Sequence, residues 1–169
     1  MRPALRKQNE PRRARQKVSR TVVEAIQAGV VNSYAPGQGV TIQISDFVPS
    51  KLIQAVQFGL PVRELDDLQT NLKVPMDKLG PMLGISKATL HRRKLSGRLD
   101  QAESDRVVRY ARLLGKAIEV MESKENARQW LSAPQVGLGG AVPLEYAETE
   151  VGAREVEDLL GRIEHGVYS

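Results

Sequence analysis

The chain has 169 residues, a formal net charge of +5, no cysteine, two histidines and aromatics at only 4% of residues. That length accommodates one sizeable core or two small ones. The missing cysteines exclude a disulfide framework and Cys-ligated zinc, while His91 and His165 stand too far apart for a local metal-ligand spacing. No apolar run approaches a membrane-spanning length and the first residues lack the apolar stretch of a secretory signal, so a cytoplasmic protein without membrane, metal or cofactor is expected.

Charge is unevenly placed. Up to Arg20 the chain carries Arg2, Arg6, Lys7, Arg12, Arg13, Arg15, Lys17 and Arg20 against Glu10 alone. From Lys124 onward acids prevail, with Glu125, Glu145, Glu148, Glu150, Glu155, Glu157, Asp158 and Glu164 against Lys124, Arg128, Arg154 and Arg162. A basic front and an acidic back suggest a polyanionic partner at one end and an electropositive one at the other.

In chain order, residues 1–17 read as a basic flexible tail, either simply solvated or a DNA-contacting arm. Val22, Val23, Ile26 and Val30 suggest a short helix, ended by the turn at Tyr34-Ala35-Pro36-Gly37-Gln38-Gly39. Val40, Ile42 and Ile44 alternate with polar residues, which makes 40–45 a candidate strand; it either pairs with another copy or packs on the helices. From Pro49 the pattern is helical, with one stripe of Leu52, Ile53 and Val56 before Gly59 and another of Leu65, Leu68 and Leu72 before Pro75. The expected fold is mainly α: an N-terminal helical or dimerisation segment over 18–60, a helix-turn-helix bundle over 61–122, and a small helical C-terminal domain over 123–169.

The segment from Met76 to Leu95 fits a helix-turn-helix, and each fitted position has a steric reason. Leu79 and Leu83 face inward one turn apart, and Gly80 allows close approach of the second helix. Gly84 sits where the turn needs a positive φ, and Ile85 and Leu90 anchor the turn and the second helix. Ser86 is the natural N-cap of that helix, Lys87 to about Gly97. Ser86, Lys87, Thr89, His91, Arg92, Arg93 and Lys94 form the candidate DNA-reading face, able to neutralise phosphates and reach base edges, with Arg98 as a further backbone contact. Two residues depart from the motif. Arg93 stands where an apolar group is usual, and Pro81 removes an amide from the first helix, tolerable if Asp77 is its N-cap.

Asp100 and Glu103 form a reciprocal capping pattern for a longer helix, whose Val107, Ala111, Leu114, Ile118 and Met121 make a seam best satisfied by an intramolecular core. Arg106, Arg109, Arg112 and Lys116 beside it read as a solvated face. Ser123 can cap a helix ending near Leu131, with Trp130, the sole tryptophan, as core anchor. Gly137-Leu138-Gly139-Gly140 lacks the lysine and preceding strand of a phosphate loop. Val156, Leu159, Leu160 and Ile163 make the buried stripe of a last helix, with Glu155, Glu157 and Asp158 off it and Gly166 as its stop.

That last helix and the peptide after it, with Arg128-Gln129-Trp130-Leu131, Leu138-Gly139-Gly140 and Pro143-Leu144, resemble the toxin-binding C-terminal domain of the Xre-type antitoxins that partner RES-domain toxins. The resemblance covers the chain from about Leu52 and is most specific at the C-terminal end. It implies an inhibitor of an NAD-consuming toxin that doubles as repressor of its own operon, with the RES-domain toxin, operator DNA and a second copy as partners. It also implies that Arg162, Glu164, His165, Gly166, Val167 and Tyr168 meet the toxin as a plug at its NAD cleft, with Glu164 and the Ser169 carboxylate as counter-charges to a cationic wall. Read without it, Arg162 and His165 are ordinary last-turn cations. The alternative function is a stand-alone helix-turn-helix transcription regulator whose C-terminal domain binds a ligand or dimerises. An enzyme is disfavoured: Ser104, Asp105 and His91 make a triad only on paper, with nothing to orient them and no small-molecule substrate implied.

Overall fold

The computed structural model describes residues 49–166. The basic tail, the helix near 22–30, the strand near 40–45, Val167, Tyr168 and Ser169 lie outside the described residues. The chain within them is helical: α1 (Pro49–Phe58), α2 (Arg63–Leu72), α3 (Met76–Met82), α4 (Lys87–Ser96), α5 (Gln101–Met121), α6 (Lys124–Ser132), a 3-10 turn (Val136–Leu138), α7 (Pro143–Tyr146) and α8 (Glu150–Glu164). Extended pairing among the described residues is limited to two isolated antiparallel bridges, Pro61 with Arg98 and Gln135 with Ala141. The mainly α class, a helix-turn-helix followed by a small helical domain, is the one the sequence predicts. No helix among these residues is long and apolar enough to cross a membrane.

The central element is α5. Asp100 accepts from the Glu103 amide (2.8 Å) and the Glu103 carboxylate accepts from the Asp100 amide (2.8 Å), closing the expected capping box. Val107, Ala111 and Leu114 of the seam are fully buried, joined by Tyr110, Leu113 and Ala117, and Ile118 and Met121 pack on the same core. Each such leucine contributes roughly 2 kcal/mol over leaving it exposed. One continuous cluster runs from Ala55 of α1 to Leu160 of α8, so the helix-turn-helix and the C-terminal helices share a core.

Three local expectations are corrected. In α1 Ile53 is 57% exposed and the small Ala55 takes the inner position, with Leu52 and Val56 packed beside it. A Cβ on Gly59, at φ +92, would lie 2.2 Å from the Leu99 carbonyl oxygen. The first helix of the helix-turn-helix starts at Met76 with Pro75 as N-cap, not at Asp77, and Pro81 falls inside its second turn. That helix has only seven residues, so Pro81 removes just one bond from it, the one its amide would make to the Asp77 carbonyl, before the Leu83–Gly84 turn. Gly80 is needed against the turn backbone, since a Cβ would stand 2.9 Å from the Ile85 carbonyl oxygen.

The cations beside the α5 seam are the third correction, for they are not a solvated face. Arg109 pairs with Glu150 (3.0 Å), Arg112 with Glu157 (3.0 Å) and Lys116 with Glu164 (2.5 Å), a ladder that fastens α8 along α5. Part of the acidic C-terminal excess is therefore balanced inside the chain. Arg128 of α6 donates to the Asn71 carbonyl (2.7 Å), and Glu125 bridges Lys73 and Arg128, which ties α6 to the end of α2. Tyr110 donates its buried hydroxyl to the Leu144 carbonyl (2.9 Å), holding α7 onto α5; burial pushes that phenol well above its ordinary value.

Candidate functional site

Two surfaces carry the site residues expected from the sequence, one on α4 and one at the end of α8. On the first, Ser86 caps α4 through its Oγ, which accepts from the Thr89 amide (3.1 Å), and the hydroxyls of Ser86 and Thr89 are hydrogen-bonded (3.0 Å). Gly84 takes the positive φ of +67 the turn requires, and Ile85 is buried. Gly97, at φ +76, ends the helix by donating to the Arg93 carbonyl (2.8 Å). The chain beyond is fixed to the α1–α2 loop, Val62 donating to the Gly97 carbonyl and Leu99 to that of Leu60.

Lys87, His91, Arg92 and Lys94 stand exposed on α4. Lys94 makes only a long ion pair with Asp66 (3.9 Å), and no ion pair among the described residues engages Lys87, His91 or Arg92. Arg93 departs from its expected place on this face. Its Nε donates to Glu103 Oε2 and its Nη2 to Asp100 Oδ2, both at 2.7 Å, and its side chain is only 21% exposed. The hydrogen bond to Glu103 raises the guanidinium above its ordinary value. Arg98 is engaged too, donating to the Gly59 carbonyl (2.8 Å) and lying over the Phe58 ring at 4.7 Å.

The second surface is the end of α8. Thr149 caps the helix by accepting from the Gly152 amide (3.0 Å), and Val156, Leu159 and Leu160 are buried as predicted, with Ile163 packed at the edge. Arg162 is half-buried, and the backbone passes through His165 to Gly166, at φ +67, with Glu164, His165 and Gly166 exposed. Glu164, expected to serve an outside partner, is exposed and also pairs with Lys116, which keeps its carboxyl below the usual range. Leu159 packs on the Gly-rich turn, where a Cβ on Gly137 would come within 2.5 Å of its side chain. In α6, Ala127 and Leu131 are the fully buried anchors, while Trp130 is only partly covered.

No reactive centre assembles from the residues considered for one. Ser104 is buried, donating to the Asp100 carbonyl (2.6 Å) and accepting from the Leu60 amide (2.8 Å), whereas His91 lies exposed on α4. No cluster of three or more His, Asp or Glu side chains among the described residues could hold a metal. Sequence reasoning missed Arg106, whose Nη1 donates to the Leu83 carbonyl (3.0 Å) and lies under the turn. Its spacing gave no clue, because the acceptor is a backbone group 23 residues away.

Residues 51–112 match the model of the antitoxin Xre-like helix-turn-helix domain, and residues 116–166 that of the antitoxin Xre/MbcA/ParS C-terminal toxin-binding domain. An antitoxin Xre of Yersinia enterocolitica is 36% identical over 120 residues, 70% of this chain and 81% of its own length. The chain belongs to the Xre antitoxin family. An antitoxin Xre of Photorhabdus laumondii is 34% identical over 113 residues, 66% of this chain and 76% of its own. A Prs ADP-ribosylating antitoxin of a Sphingobium species is 24% identical over 131 residues, 72% of this chain and 82% of its own. As an Xre-family protein the chain is an antitoxin of a toxin-antitoxin system, which displaces the reading as a stand-alone regulator. The boundary between the two matched units falls inside α5, the helix that both surfaces share.

Proposed function

We propose that this Xre-family antitoxin neutralises a RES-domain, NAD-consuming toxin by occluding its active site, and represses its own operon through the helix-turn-helix. The observation that carries the toxin reading is the course of α8, which leaves the core at Ile163 and presents His165 and Gly166 to solvent within the toxin-binding unit. Arg162, His165 and Gly166, continued by Val167 and Tyr168, are the contacts with the toxin, while Glu164 braces the helix against Lys116. An NAD cleft accepts a pyrophosphate and aromatic rings, so a short polar peptide that carries an aromatic group such as Tyr168 suits it. The naming of one relative for ADP-ribosylation, a reaction that draws on NAD, supports this toxin chemistry.

For the operator, Lys87, Thr89, His91, Arg92 and Lys94 supply the reading face, and a dimer would engage two half-sites as helix-turn-helix proteins do. Deleting 165–169 tests occlusion: the fold should persist, since the buried core of the described residues is built without His165 and Gly166, while neutralisation of the co-expressed toxin is lost at least in part. Full neutralisation by the truncated chain would end the occlusion reading.

A further inference from the structure

We infer that Arg93 is a positioning residue that locks the recognition helix α4 onto α5, and does not itself contact DNA. The inference rests on the DNA-reading role proposed for α4. That helix contains no buried residue, so little apolar packing sets its angle. Leu90, which packs on the core, and Arg93 lie three positions apart on its inner face, and with Thr89 they are its only partly buried residues. Ile85 holds the turn before it and Gly97 the loop after it, which leaves rotation about the helix axis to be stopped in between.

Arg93 does so by a fork. One arm reaches Glu103, whose side chain is 5% exposed, and the other reaches Asp100. The same two carboxylates close the capping box, and Glu103 Oε2 accepts both the Asp100 amide and the Arg93 Nε. The start of α5 and the orientation of α4 therefore depend on one charge cluster. Without the guanidinium, Glu103 would remain as a nearly buried carboxylate with its cationic partner gone. Holding Arg93 inward also turns its neighbours Arg92 and Lys94 outward, and so selects which cations face a groove.

The test uses the full chain, a duplex from upstream of its own reading frame and a random duplex of equal length. Arg93→Gln should weaken binding to the first about tenfold, the effect of misplacing roughly one base contact, and leave the random duplex and the salt slope as in the parent. Arg92→Gln, removing a surface charge, should flatten the slope of log affinity against log salt by about 0.9. A similarly flattened slope for Arg93→Gln, or unchanged affinity for both duplexes, overturns the inference. If the parent prefers neither duplex, the DNA reading itself has failed, and hydrogen exchange then decides the role of Arg93. Exchange of the α4 amides should rise about tenfold or more in Arg93→Gln, with the buried middle of α5 unaffected. Unchanged α4 exchange overturns the tether. Should that variant not fold, Arg93→Lys, whose single ammonium cannot fork across two carboxylates, is read by the same α4 exchange.

Discussion

Gly152 has little to do with flexibility and much to do with contact. A Cβ there would stand 1.8 Å from the Tyr146 carbonyl oxygen, and a backbone atom cannot swing aside as a side-chain tip can. Gly152→Ala must therefore lift the start of α8 from α7, at a cost of about 2 kcal/mol or more, seen as a lower urea midpoint with unchanged m. A midpoint equal to the parent's would show that the close approach is dispensable. Tyr110 carries a second local prediction. Tyr110→Phe keeps the ring in the core but deprives the buried Leu144 carbonyl of its donor, costing roughly 1–3 kcal/mol by the same measurement.

The ladder between α5 and α8 makes the seating of the last helix depend on pH. The hydrogen bond from Lys116 holds the Glu164 carboxyl below its usual range, and the same bond raises the Lys116 ammonium. A depressed carboxyl contributes stability above its unfolded value and loses it as pH falls through the folded one. A raised ammonium contributes below its ordinary value and loses that contribution as pH rises through the folded one. The pair is therefore intact at neutrality and weakens first in acid. Because both groups are partly exposed, the effect is modest. Glu164→Gln should make the stability profile shallower between about pH 5 and pH 3. Superimposable acid limbs for the variant and the parent would remove the ladder from any account of how α8 is held.

Among the described residues a single continuous core carries both candidate surfaces. Asp100, Glu103 and Arg106 grip the helix-turn-helix near the start of α5, and Lys116 grips the end of α8 farther along. From Glu103 to Lys116 the helix axis advances about 20 Å at 1.5 Å per residue, so a single rod sets the spacing of the two surfaces. A linker-joined pair of domains would melt in two steps. Here the continuous cluster predicts a single cooperative calorimetric transition for residues 49–166. Two resolved transitions would mean that the units matched at 51–112 and 116–166 fold separately.

Much of this was legible along the chain because it depends on neighbours in sequence. Ser86, the Asp100–Glu103 box, Ser123 and Gly166 mark helix ends through contacts a few residues away, and Val107–Ala111–Leu114 and Val156–Leu159–Leu160 identify buried stripes by period alone. The family resemblance was carried by motifs of the same local kind. Charge was where such reading failed. Arg109, Arg112 and Lys116 look like surface cations in a linear view, and Arg93, though it stands at a usually apolar position, shows no partner there; whether a cation is free or paired is set by which carboxylate the fold brings within about 3 Å. Their partners on α5 and α8 are brought there by packing, up to 48 residues away for Lys116 and Glu164. Periodicity can tell which residues face the core; only the assembled helices decide which charges remain for a partner.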